Sequence, residues 1–233
     1  MRSMVGTIYA AACMKIDVAS RFSNDPLVFV EIALTNSIPE ALPPLLQPRP
    51  DMVQDERVNT VVFYSISNCH PGLASVTFGN FLIKSVIEEL QKEIPTLKYY
   101  VTLSPVPGFR NWLLDADLEG LVPQHLADRV KGPLGAVVDA QVYDALLKLC
   151  AHYLLRVKSG RLPHDPVARF HLGNGAQLHG IHGGADLSPK GREQSAGIMV
   201  NYLYDLPKIE ENHEAYFEEG KIAVSKAVSR LLD

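Results

Sequence analysis

The pattern that most constrains this chain is a strand, a helix and a second strand compressed into about 45 residues. Val58 to Ser67 carries Val61, Val62, Phe63, Tyr64 and Ile66, an apolar run with the length and residue types of a buried strand. After a glycine-containing loop, Phe81 to Ile94 sets Phe81, Leu82, Val86, Ile87 and Leu90 at helical spacing, and Pro95 stops the helix. Tyr99 to Leu103 forms the second strand. Such a unit puts a crossover helix on a mainly parallel stretch of sheet. Upstream, Leu27 to Leu34 is a nearly continuous apolar run broken by Glu31 and predicts another strand of the sheet. Between the two lies Ile38 to Pro50, whose five prolines predict a loop or a very short helix.

Beyond Leu103 the periodicity changes. Trp112, Leu113, Leu114, Leu118, Leu121 and Leu126, then Val142 to Leu155, follow helical spacing and predict a helical insertion at about 111–160, broken near Gly132, Pro133 and Gly135. Short β-like pieces are expected at Val167 to Phe170 and Met199 to Leu206, and an amphipathic helix at Gly220 to Leu232. The class is α/β or α+β, with a mixed sheet flanked by helices. Its 233 residues suit one large domain or one with an added helical layer.

Charge and cysteine usage narrow the function classes. A net charge of −4 leaves no broad basic face for nucleic acid, so an anionic ligand would be held locally. Cys13, Cys69 and Cys150 are an odd number without CxxC spacing, which argues against a disulfide framework and a structural zinc. No apolar run approaches the ~20 residues that span a bilayer. The start faintly imitates a secretory signal, but Gly6, Thr7 and Tyr9 interrupt it. With neither a basic amphipathic leader nor a C-terminal Ser-Lys-Leu, the cytoplasm is the expected compartment, without membrane or nucleic-acid partners.

Four segments can carry chemistry. The loop Ser67 to Asn80 joins a buried strand to a helix, where backbone N–H groups and the helix dipole can hold a phosphate, although an ordinary connecting loop fits the spacing equally. Leu103-Ser104-Pro105-Val106-Pro107 ends a strand with a serine stiffened by two prolines; it is not a GxSxG elbow, and Ser104 can equally be a turn residue. His171 sits where a strand is expected to run into the turn Asn174-Gly175, as an acid–base group near neutral pH or as an exposed turn histidine. His179 and His182, three apart among glycines, invite a metal, but the loop-like setting and the single nearby Asp186 argue against one. The acidic run from Glu210 to Glu219 is a solvated face.

Several longer motifs occur together and in order: Val61 to Ser67, Phe78-Gly79-Asn80-Phe81-Leu82-Ile83-Lys84, Leu103 to Phe109, Phe170-His171-Leu172-Gly173-Asn174-Gly175-Ala176, Ala185-Asp186 and Met199-Val200-Asn201-Tyr202-Leu203-Tyr204. In this they resemble the catalytic half of malonyl-CoA decarboxylases, over about Pro26 to Leu232. The resemblance implies a GNAT-like, acyl-CoA-binding fold and a lyase that converts malonyl-CoA to acetyl-CoA and carbon dioxide with no metal or other cofactor. It makes Ser104 and His171 the catalytic pair, adds Tyr204 at the same pocket, and assigns Ala74, Ser75, Val76, Thr77, Phe78, Gly79 and Asn80 to the loop that binds the CoA portion. Ser75 stands where the family carries a glycine.

The chemistry expected from that resemblance is coherent. Loss of carbon dioxide leaves an enolate, stabilised by donors aimed at the thioester oxygen, each worth ~3 kcal/mol in comparable sites. His171, with a pKa near the working pH, would then protonate the enolate carbon, a contribution of ~10²–10⁴-fold. Ser104 would orient the carboxylate or accept a proton. The family's helical N-terminal domain, which takes part in oligomer assembly, has no counterpart here, and residues 1–24 diverge from the strand region leading into residues 25–233. A truncated chain with a weakened homo-oligomer is therefore expected. The competing expectations are a non-catalytic remnant that binds acyl-CoA and a GNAT-type acyltransferase that moves an acyl group from CoA to an amine.

Overall fold

Apolar runs and capping residues decide where the elements form. The computed structural model describes residues 5–10, 13–19, 26–47, 57–68, 79–134 and 138–233. The chain divides into two compact units, residues 1–103 with 203–205, and residues 104–202 with 206–233.

The first unit is a sheet with strand order β1 (Val5–Ala10), β2 (Cys13–Ala19), β3 (Pro26–Thr35), β4 (Thr60–Asn68) and β5 (Tyr99–Thr102). The pairs β1–β2, β2–β3 and β3–β4 are antiparallel, and β4 pairs with β5 in parallel, Val62 opposite Val101. Between β4 and β5 runs α1 (Gly79–Glu93), so the expected strand–helix–strand unit is present. Its Ile83, Val86, Ile87 and Leu90 form the buried stripe, at i, i+3, i+4 and i+7. Val61, Val62, Phe63 and Val101 are buried too, each contributing roughly 1.5–3 kcal/mol by leaving water. The proline-rich stretch holds one short 3-10 turn, Pro43–Leu45. The divergent first 24 residues contribute β1 and β2, and residues 203–205 return to this sheet, where Leu203 pairs with Val101 and the Tyr204 N–H donates to the Tyr100 carbonyl at 2.8 Å.

The second unit starts with β6 (Ser104–Pro105), and the helical insertion follows as α2 (Phe109–Asp115), α3 (Gln124–Lys131) and α4 (Ala140–Arg156). Asp139 caps α4 by accepting from the Val142 N–H at 3.1 Å. Arg110 donates to the carbonyls of Val130, Lys131 and Gly132, closing the end of α3. The core is aromatic, with Tyr153 5.8 Å from Phe109 and 5.2 Å from Trp112 between ring centres. A hairpin of β7 (Lys158–Ser159) and β8 (Leu162–Pro163) leads to α5 (Pro166–Gly173), β9 (Gln177–His182), α6 (Pro189–Ser195), β10 (Met199–Leu203), α7 (Ile209–Glu219) and α8 (Lys226–Ser229).

Three expectations are corrected here. Val167 to Phe170 is helical, because Asp165 caps the chain from the position before Pro166, and proline at the first helical position fixes the backbone for a helix. His179 and His182 lie on strand β9 and not in a loop, despite the glycines. Gly220 to Leu232 is not one helix: Val224 bridges to Leu178, Ser225 restarts the chain as the cap of α8, and a 3-10 turn ends it.

Candidate active site

Ser104 and His171 come together. The strand end at Ser104 is held from both sides of the sequence: Val200 on β10 is its register partner, and two residues on, the Val106 N–H donates to Ser195 Oγ at 3.1 Å. Pro105 and Pro107 stiffen the intervening chain. His171 is delivered by α5, whose Ala168, His171 and Leu172 form its buried stripe at i, i+3 and i+4. The far end of α5 is fixed as well. The His171 carbonyl accepts from the N–H groups of Asn174 and Ala176, and Gly175 adopts φ +79° where a Cβ would collide with the Ile209 carbonyl. Helix α7 adds two bonds to this corner, Asn212 Nδ2 to the Gly175 carbonyl at 3.1 Å and His213 Nδ1 to the Gly173 carbonyl at 2.6 Å.

The result is a buried dyad. Ser104 Oγ lies 3.2 Å from His171 Nε2, with the residues 6% and 4% exposed. The Tyr202 ring stacks on the imidazole, centres 4.6 Å apart and planes 24° from parallel. Strand alternation accounts for this: Ser104 pairs with Val200, and Tyr202 lies two residues further along the same face. Burial drives the His171 pKa down to about 3. The ring is therefore a neutral imidazole at pH 7, and the expectation of a histidine titrating near the working pH is corrected, as is that of an exposed turn residue. A neutral ring can act as donor at one nitrogen and acceptor at the other.

The other predicted site residues belong to the first unit or lie outside the described residues. Tyr204 belongs to the first unit, fully buried, its hydroxyl pKa pushed well above the ordinary value by burial. Ala74, Ser75, Val76, Thr77 and Phe78 lie outside the described residues, and Gly79 and Asn80 open α1. His182 Nε2 is 2.6 Å from Asn201 Oδ1, and no cluster of three metal-ligating side chains occurs among the described residues. Sequence reasoning missed Tyr202, although it stands two residues before Tyr204 in a quoted motif; only its place on the strand face reveals its partner.

Comparison with known proteins identifies the family. A family model described as the malonyl-CoA decarboxylase C-terminal domain matches residues 18–233. The chain is 35% identical over 240 residues to a mitochondrial malonyl-CoA decarboxylase from Rattus norvegicus, a match covering 90% of this chain and 48% of that one. To the protein of the same description from Anser anser anser it is 32% identical, covering 88% and 46%. The chain thus spans about half the length of the curated relatives it matches. Crystal structures of malonyl-CoA decarboxylases from Rhodopseudomonas palustris and Agrobacterium vitis superpose with a TM-score of 0.85 each, at 44% and 42% identity, covering 94% and 96% of this chain and 53% and 58% of theirs.

Proposed function

The chain belongs to the malonyl-CoA decarboxylase family, and from that premise we propose that it removes carbon dioxide from malonyl-CoA to give acetyl-CoA, with Ser104 and His171 as the reacting pair. The observation that carries the reading is the buried contact between Ser104 Oγ and a neutral His171 ring. The C–C bond to the carboxylate breaks, carbon dioxide departs, and the electron pair remains as a thioester enolate. One donor of the dyad bonds the thioester oxygen as its charge grows, an interaction strengthened by exclusion of water. A neutral imidazole can serve as such an electrophile where a depressed pKa keeps it uncharged.

The enolate carbon then takes a proton from the dyad, with His171 as the donor and Ser104 ordering the carboxylate or passing the proton. A thioester enolate is basic enough at carbon to accept it from a neutral group. The single negative charge moves from carboxylate to enolate to dyad, and water restores the lost proton. No metal or other cofactor is required by this sequence of steps. The loop Ala74 to Asn80 holds the CoA portion; Gly79 and Asn80 start a 15-residue helix, an end suited to phosphate. Tyr204 is given a part in the reaction on the family resemblance. No helix among the described residues is long and apolar enough to cross a membrane.

Running the reaction in D2O tests the order of events. One deuterium in the acetyl methyl group is expected, and none in the product of a simple acyl transfer. Release of CoA that depends on an added amine would replace this reading with the acyltransferase one.

A further inference from the structure

Among the described residues the buried polar set contains one carboxyl, Asp165, and it has no place in the chemistry above. A buried carboxylate is costly, so its surroundings show what it is kept for. Its Oδ1 accepts from the Ala168 N–H at 2.8 Å, three residues before His171 on the same helix. Its Oδ2 faces Gly108, four residues beyond Ser104: a Cβ on Gly108 would sit 3.8 Å from it and 2.5 Å from Tyr153 Oη. Oδ2 has no partner within hydrogen-bonding distance, and the Gly108 N–H is near enough to act on the carboxylate. Burial pushes the carboxyl pKa up, opposed by the backbone N–H groups of Ala168, Val167 and Gly108. The glycine is what leaves room for the Tyr153 hydroxyl against this stretch of backbone.

We propose that Asp165 is a positioning residue: a single side chain set between the backbone that carries Ser104 and the helix that carries His171, holding the two at contact distance. The proposal rests on the dyad assigned above. A carboxylate serves this better than a hydroxyl because it has a second oxygen. One caps the helix, and the other occupies the space against Gly108.

Asp165→Ser separates this role from simple capping. Serine is an equally good cap for the Ala168 N–H but leaves the Gly108 side empty. The expected result is a fold and urea midpoint close to wild type, kcat down by about 10–10²-fold as for a misplaced reacting pair, and KM for malonyl-CoA within about threefold. Asp165→Asn, which keeps both the cap and the bulk, restores most of kcat. An Asp165→Ser variant with wild-type kcat would overturn the proposal by reducing Asp165 to a cap. Independently of turnover, ring nitrogen resonances of His171 in 15N-histidine-labelled protein should move in Asp165→Ser toward their position in Ser104→Ala, where the contact is broken. Unchanged resonances would overturn the proposal too. Because this second readout needs no substrate, a wild-type chain without decarboxylase activity would count against the proposed function and leave the positioning test intact.

Discussion

Lowering the pH should unfold this protein through one histidine more than through the others. His171 has a pKa of about 3 in the folded chain against 6.5 for an ordinary histidine, the cause being burial. Below 6.5 the unfolded chain binds a proton that the folded chain refuses. Stability from this group is therefore complete above about pH 6.5 and is lost as the pH falls toward 3. At 1.36 kcal/mol per pH unit the whole window amounts to about 5 kcal/mol, comparable to the entire stability of many domains. Only part is accessible before general acid unfolding. Between pH 7 and pH 5 the linkage relation gives about 2 kcal/mol. Urea unfolding of wild type and His171→Gln at pH 7, 6 and 5 measures it. The glutamine variant carries its own constant penalty, but its stability should fall by about 2 kcal/mol less across this range. Two parallel lines would refute the reasoning, because they would mean that His171 is hydrated and titrates normally.

The same depressed pKa predicts that kcat/KM from pH 6 to 8 shows no titration attributable to His171, whereas a mechanism needing the imidazolium would lose about tenfold per unit above pH 6.5; a pH–rate profile at saturating and limiting malonyl-CoA decides between them. Tyr202→Leu removes the ring stacked on the imidazole, worth about 0.5–1.5 kcal/mol beyond its area, and should lower kcat with little change in CoA binding measured by calorimetry. Gly175→Ala forces a side chain onto φ +79° and against the Ile209 carbonyl, so a loss of more than about 1 kcal/mol is expected in urea unfolding, with loss of turnover because the end of α5 is displaced.

Much of the fold was legible because its signals are local. The strand β4, the helix α1 and the strand β5 follow directly from apolar spacing and Pro95, whereas Ser104 and His171 are singled out as a pair only by the resemblance of their motifs to the family. Helix α5 was misread although its signal was present: Asp165 followed by Pro166 marks a helix start, but Val167 to Phe170 suggests a strand when judged by residue type alone. Gly180 and Gly183 around His182 suggested a loop, whereas pairing with β10 overrides a glycine's weak strand preference. The neutral state of His171 could not be read from sequence at all. It comes from desolvation by residues distant in the chain, including Tyr202, some 30 positions away. Asp165 escaped notice for the same reason, since its importance lies in facing Gly108.

The most direct test is acetyl-CoA formation from malonyl-CoA by the purified chain, in the presence of EDTA and beside His171→Ala. Turnover that survives EDTA and falls by at least about 10²-fold in the variant is what a neutral Ser104–His171 dyad predicts. Equal turnover by the variant, or a folded wild-type chain that binds CoA and leaves malonyl-CoA intact, would contradict it.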